Sequence, residues 1–167
     1  MDDESAAPDR RIGTLPLSEV FGRSGRDFFA ALIAGDVPGP PIADTVPMTF
    51  REATEGRIVV TARPEARFLN LIGSIHGGYA AVLLDTALGC AVHTTLGAGE
   101  GYTSLEIKCS FHRALQPETG EITVTGTVIS RGRRAASSEA RIEDAEGRLL
   151  ASGSSTCLIF QLPTDAA

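Results

Sequence analysis

The hydrophobic pattern of this chain changes period twice. Phe28, Phe29, Leu32 and Ile33 recur at helical spacing. Ser24-Gly25-Arg26-Asp27 ahead of them fits an S-x-x-D helix start, and Gly35 is placed to end the helix. So short a helix is not stable alone, and its Phe residues must pack on something. The Pro- and Gly-rich run 35–41 then breaks the pattern, which places the start of the main domain near Thr45. Residues 46–51 and 57–63 read as two strands, with Glu55-Gly56 between them as a hairpin turn. Residues 64–71 read as a loop. From His76 to Leu96 the period becomes helical, with Ser74 and Gly77-Gly78 at the start. Apolar residues occur nearly all round this helix, so it is expected to be enclosed. On it, Asp85 shares a polar stripe with Thr86, His93 and Thr94.

Beyond the helix the period is two. Leu105, Ile107, Cys109 and Phe111 alternate with Ser104, Glu106, Lys108 and Ser110, and Ile122, Val124 and Val128 alternate with Thr123, Thr125 and Thr127. Strands over 136–142 and 149–160 follow, separated by the turn Asp144-Ala145-Glu146-Gly147. Two strands, one long buried helix and four strands in succession suggest an α+β chain whose antiparallel sheet curls around a single central helix; that arrangement is the hotdog fold, which periodicity alone does not separate from other α+β folds with one helix. Residues 1–45 form an N-terminal extension with a short helix and a Pro/Gly-rich linker, of which 1–16 read as a mobile polar tail. Residues 46–163 form the domain and 164–167 a tail.

Composition narrows the classes. The 167 residues suit one domain, and 43% hydrophobic residues are enough for a core without staples. The net charge of −6 and the few aromatics argue against nucleic acid; Arg131-Gly132-Arg133-Arg134 is the sole basic cluster. Asp85 interrupts the most apolar run, 79–92, so no membrane span is expected. The acidic start, Met1-Asp2-Asp3-Glu4, does not read as a targeting signal. Cys90, Cys109 and Cys157 have no metal-ligand spacing and read as small core residues of a cytoplasmic protein. No metal or cofactor is expected.

The chemistry concentrates in Asn70-Leu71-Ile72-Gly73-Ser74-Ile75-His76-Gly77-Gly78, followed by Asp85. A carboxylate among Leu83, Leu84, Ala87 and Leu88, with no Lys or Arg within a turn, costs several kcal/mol unless paired or hydrated. Such a group suits a general base or a nucleophile. Gly77 and Gly78 open the helix, where free N–H groups and the helix dipole favour negative charge, although two glycines also simply permit a tight turn. Asn70 is a turn residue by type. His76 could serve as a general base, but at a helix start it is read as a cap with a positioning role in catalysis. Gly77 and Asp85 are eight residues apart, about 12 Å along a helix. One substrate carbonyl cannot touch both, so if both act on one substrate they come from two copies of the helix.

This constellation resembles the PaaI-like hotdog acyl-CoA thioesterases, related to the 4-hydroxybenzoyl-CoA thioesterases, over about residues 46–160. The resemblance implies hydrolysis of an acyl-CoA without metal or cofactor. It implies the Gly77 N–H as oxyanion donor and Asp85 as base or nucleophile. It also implies that Asn70 and Ser104 position carbonyl and water, and that the active sites lie between subunits of an obligate dimer, assembling further to a tetramer. Gly78 joins the substrate-binding residues. The anionic coenzyme calls for arginines: the turn Gly132-Arg133-Arg134 first, Arg113 second. Phe28, Phe29, Phe68, Leu69 and Tyr79 are candidates for the acyl pocket, favouring a medium-chain or aromatic acyl group. His93 and His112 are expected to take no catalytic part. A hotdog dehydratase or hydratase is the first rival, but its D-x-N-P-x-H pattern does not occur here. A non-catalytic acyl-CoA sensor is the second, and the unpaired Asp85 speaks against it.

Overall fold

The computed structural model describes residues 11–163. The tail expected at 1–16 therefore falls mostly, and that at 164–167 wholly, outside the described residues. Helices α1 (Leu17–Phe21), α2 (Gly25–Ala34) and α3 (Ile42–Thr45) precede strands β1 (Met48–Thr54) and β2 (Arg57–Ala62). Helix α4 (Gly77–His93) follows, then β3 (Glu100–Phe111), β4 (Ile122–Arg131), β5 (Ala135–Glu143) and β6 (Leu149–Gln161). The six strands form one antiparallel sheet in the order β1-β2-β4-β5-β6-β3. It curls around α4 in the hotdog arrangement. Leu83, Leu84, Leu88 and Val92 of α4 are fully buried with Ile58, Val60, Ile122, Val124 and Ile142 of the sheet.

Local chemistry explains the elements. The Ser24 hydroxyl accepts from the Asp27 N–H at 3.2 Å to cap α2, and Gly35, at φ +84°, ends it by donating to the carbonyls of Ala31 and Leu32. The Phe29 side chain then joins the main core at 2% exposure. The Gly25 N–H donates to the Leu96 carbonyl (3.0 Å) and the Gly99 N–H to that of Phe21 (2.7 Å), tying the N-terminal helices to the far end of α4.

The enclosure expected of α4 is incomplete. Asp85 and Gly78 are exposed and Val82, Thr86 and Cys90 only half-buried. The reason is topological: β3 is an edge strand, and no further strand among the described residues covers that flank. The polar stripe also dissolves, because His93 and Thr94 are buried at 4% and 2%.

Opposite this open face α4 lies very close to β4. A Cβ on Gly126 would stand 2.2 Å from the Ala87 carbonyl oxygen. Helix or strand must shift to admit it, so Gly126→Ala should cost about 2–3 kcal/mol in chemical denaturation. A loss below about 0.5 kcal/mol would show that this contact does not hold α4 to the sheet.

Candidate active site at the helix start

The loop entering α4 is built by its own polar side chains. Asn70 Oδ1 accepts from the N–H groups of Ile72 (3.0 Å) and Ser74 (3.2 Å), and its amide donates to Ser74 Oγ at 2.9 Å. That is an Asx-type turn. One amide N–H of Asn70 is left over. His76 is the N-cap: its Nδ1 accepts from the Gly78 N–H at 2.8 Å. This bond leaves the ring proton of the neutral imidazole on Nε2.

The cap also divides the two glycines. Gly78, expected to bind substrate, spends its N–H on His76. The Gly77 N–H makes no hydrogen bond among the described residues, as the first helical position requires. A Cβ on Gly77 would be 3.1 Å from Phe111 Cζ, so the glycine lets the ring lie over the helix start. A cleft of about 290 Å³ opens there, lined by Asn70, Ser74, His76, Gly77, Phe111 and Arg113 among others. The structure thus gathers Asn70, His76, Gly77 and Arg113 in one place.

Asp85 sits two turns along α4 on the open face, exposed in the single chain. The burial argument from its apolar neighbours in sequence does not hold here, because Leu83, Leu84, Ala87 and Leu88 face the core and Asp85 faces away. Ser104 Oγ approaches Asp85 Oδ1 at 3.5 Å, longer than a well-formed O–H···O bond. The alternation read from sequence sets Ser104 against Ile107, Cys109 and Phe111. The structure corrects it. A β-bulge at Leu105 shifts the register, pairing Ser104 with Cys157 and Ile107 with Ser155. Ser104, Ile107, Cys109 and Phe111 therefore share the face turned to α4, while Leu105 is 60% exposed.

The thiols near Asp85 are held protonated. Burial first, then the Asp85 charge, pushes Cys90 up to about 12. Burial also leads in raising Cys109 and Cys157. Cys157 is buried, whereas Cys90 and Cys109 are half-buried, so the core role expected of all three holds fully for one.

The arginines separate into two places. Arg113 donates to the Leu149 carbonyl at 2.6 Å and lines the Gly77 cleft. Arg131 pairs with Glu100 at 2.6 Å. The Gly132 N–H donates to the Ala135 carbonyl at 2.8 Å, while Arg133 and Arg134 are exposed with no side-chain partner among the described residues. Along β6, the turn lies beside Leu158 and the cleft beside Ala151, seven residues apart. At 3.3 Å per residue that is about 23 Å.

Of the acyl-pocket candidates, Leu69 stays near the cleft. Phe28 instead stacks on His93 at the other end of α4 and Phe29 meets that ring edge-on, and Tyr79 is buried against Phe68 with ring centroids 4.8 Å apart. The sequence reading passed over Phe111 as a site residue. Its only signal was its place at the end of the alternating strand, just before Arg113. Among the described residues no group of His, Cys, Asp and Glu fits a metal, and no helix is long and apolar enough to cross a membrane.

Residues 72–151 match the family model of the thioesterase superfamily. The X-ray structure of a protein from the thioesterase superfamily is 32% identical, covering 71% of this chain and 88% of that one with a TM-score of 0.63. A phenylacetic acid degradation-related protein of Ralstonia eutropha JMP134 is 26% identical, covering 78% of this chain and 98% of that one, with a TM-score of 0.71. A Streptococcus mutans UA159 protein bound to acetyl-CoA shares the fold at 19% identity, covering 70% and 91%, with a TM-score of 0.63. No curated protein matches the sequence.

Proposed function

We propose that this chain, which belongs to the thioesterase superfamily, is a PaaI-like acyl-CoA thioesterase that hydrolyses a medium-chain or aromatic acyl-CoA to the free acid and coenzyme A in the cytoplasm. The observation that carries this reading is the pairing of a free Gly77 N–H at a helix start with an open-faced Asp85 two turns along the same helix. The N–H and the helix dipole are aimed where a thioester oxygen gains negative charge. The Asp85 carboxylate takes a proton from water as the water oxygen bonds to the carbonyl carbon. The C–S bond then breaks, and the proton leaves with the coenzyme thiolate. Ser104 holds the water against Asp85, and the spare Asn70 amide N–H and the His76 Nε2–H face the carbonyl. Direct attack by Asp85, through an anhydride, uses the same atoms. A single turnover in ¹⁸O-water bears on the two routes: direct attack by water always labels the first acid released, whereas an unlabelled first acid with the label on Asp85 shows an anhydride opened at the Asp85 carboxyl carbon.

Two copies are needed for the 12 Å reason given above, and β3 supplies the means. It is a twelve-residue edge strand with Leu105, Ile107 and Phe111 exposed. Two-fold pairing of β3 edges reverses one strand against the other. The Glu100 end of one chain, with its Arg133 turn, then comes toward the Phe111 end of the second, with its Gly77 cleft. The same pairing covers the open face of α4, and a dimer of such dimers completes the expected tetramer. A thiol-release assay over short, long and aromatic acyl-CoAs tests the reading. Binding without release would make the protein a sensor instead.

The free guanidinium of Arg133 is then placed for the phosphates of a coenzyme whose thioester sits at the second chain's Gly77. Arg133→Ala should raise KM about fivefold with kcat little changed, and added salt should raise the wild-type KM in parallel. An unchanged KM there, with a raised KM in Arg113→Ala, would move the phosphates to the cleft of the same chain.

A further inference from the structure

Strand β3 changes face along its length. Tyr102 packs inward on the cluster of Val92, Leu96, Ala136, Cys157 and Ile159 and lies over Gly89 of α4. Ile107, Cys109 and Phe111 face α4 as well, yet their positions are odd and that of Tyr102 is even. Side chains alternate along a strand, so one extra residue must enter between Tyr102 and Ile107. Where it enters decides which side chain meets Asp85. An extra residue at Thr103 would set Leu105 opposite Cys157, facing inward, with Ser104 turned out. That place suits the apolar pattern better, because it would cover Leu105, which stands 60% exposed. The bulge falls at Leu105 instead. It sets Ser104 opposite Cys157, with its Oγ 3.5 Å from Asp85 Oδ1.

One side chain of the neighbouring strand bears on that choice. Ser155 of β6 is 2% exposed, and its hydroxyl donates at 2.7 Å to the carbonyl of Glu106, the residue that follows the bulge. With its proton on that carbonyl, Ser155 Oγ can only accept from Cys157, whose Sγ lies 4.0 Å away and 4.0 Å from Ser104 Oγ. Ser155, Cys157, Ser104 and Asp85 thus follow one another from the bulge to the carboxylate. Ser138 is the contrast. It pairs with Ser155 across β5 and β6 and is fully buried, but its Oγ has no hydrogen-bond partner among the described residues. Burial of a serine on this face does not by itself bring a bond to the backbone.

We propose that Ser155 is a positioning residue for the hydrolytic water: by holding the Glu106 carbonyl it fixes the bulge at Leu105, and the bulge turns Ser104 toward Asp85. Ser155 touches neither substrate nor water and acts through Ser104. The inference rests on the thioesterase reading, in which Ser104 holds the water against Asp85. Without the Ser155 hydroxyl the extra residue moves toward Thr103, and Leu105 replaces Ser104 beside Asp85.

A double-mutant cycle tests this. Ser155→Ala should lower kcat about tenfold, as Ser104→Ala does, with KM within about twofold of wild type, because both leave the water without its hydroxyl. In the Ser104→Ala background the same change should lower kcat by less than about threefold, since the group it positions is already gone. Ser138→Ala, at an equally buried site, should leave kcat within about twofold of wild type. If Ser155→Ala does not fold, Ser155→Cys keeps the size, donates poorly and takes its place in the cycle. A folded Ser155→Ala or Ser155→Cys variant with wild-type kcat overturns the proposal. Equal losses with and without Ser104→Ala also overturn it, because Ser155 would then act on something other than Ser104. So does a loss in Ser138→Ala as large as that in Ser155→Ala, which would make the effect one of packing. If the wild-type protein releases no thiol from any acyl-CoA, the thioesterase reading fails instead. A crystal structure of the Ser155 variant then tests the pin by itself: Leu105 turned inward supports it, and a bulge unmoved at Leu105 contradicts it.

Discussion

Asp85→Asn should lower kcat by about 10² or more, with KM close to wild type and the fold intact. The substitution keeps shape and removes the proton acceptor. The fold should survive because Asp85 supports little of it: the residue is exposed, and its side-chain contact among the described residues is the long one from Ser104 Oγ at 3.5 Å. Steady-state kinetics on the best acyl-CoA from the panel, with thermal melting and size-exclusion chromatography on the same preparation, check both halves. Near-normal turnover would remove Asp85 from the mechanism. A loss of activity accompanied by a lost dimer would make the residue structural.

The features readable from sequence were those carried by local pattern. The long apolar run gave α4, and Gly56 and Gly147, at φ +74° and +75°, occupy the two hairpin turns expected of them. The Ser24 cap and the Gly35 stop bound α2 as their residue types require. What failed depended on register or on neighbours distant in sequence. The bulge at Leu105 has no signature in the alternation around it, and it alone turns Ser104 toward Asp85. The exposure of Asp85 follows from β3 being an edge, which strand order decides and composition does not. Phe28 and Phe29 were legible as apolar residues in need of a partner. That partner, His93, lies about sixty-five residues away and reads as polar until its burial is known. At the site, the Asn70 to Asp85 spacing gave the residues of the helix start and the family they resemble. The separation of the Arg133 turn from the Gly77 cleft needed the sheet register.

The central claim is that one site is built from two chains, and mixing two inactive subunits tests it most directly. One subunit carries Asp85→Asn. The other carries Gly77→Pro, which lacks the N–H for the oxyanion. Proline fits this position better than most: Gly77 is the first residue of α4, where proline is tolerated. His76 before it already has φ −60° and ψ 136°, the extended backbone that a residue preceding proline adopts. The nearest atom to the new Cβ would be Cζ of the Phe111 ring, whose side chain is 56% exposed and free to give by a few tenths of an ångström. Each variant is first shown to fold, to dimerise and to be inactive. In the mixed dimer one interface site receives an intact Gly77 and an intact Asp85 from opposite chains, and the other receives both defects. Thiol release should therefore reappear on subunit exchange, at up to about half the wild-type rate per dimer. Mixed dimers that form and remain inactive would contradict the shared site, placing Gly77 and Asp85 in the site of a single chain or removing one of them from catalysis.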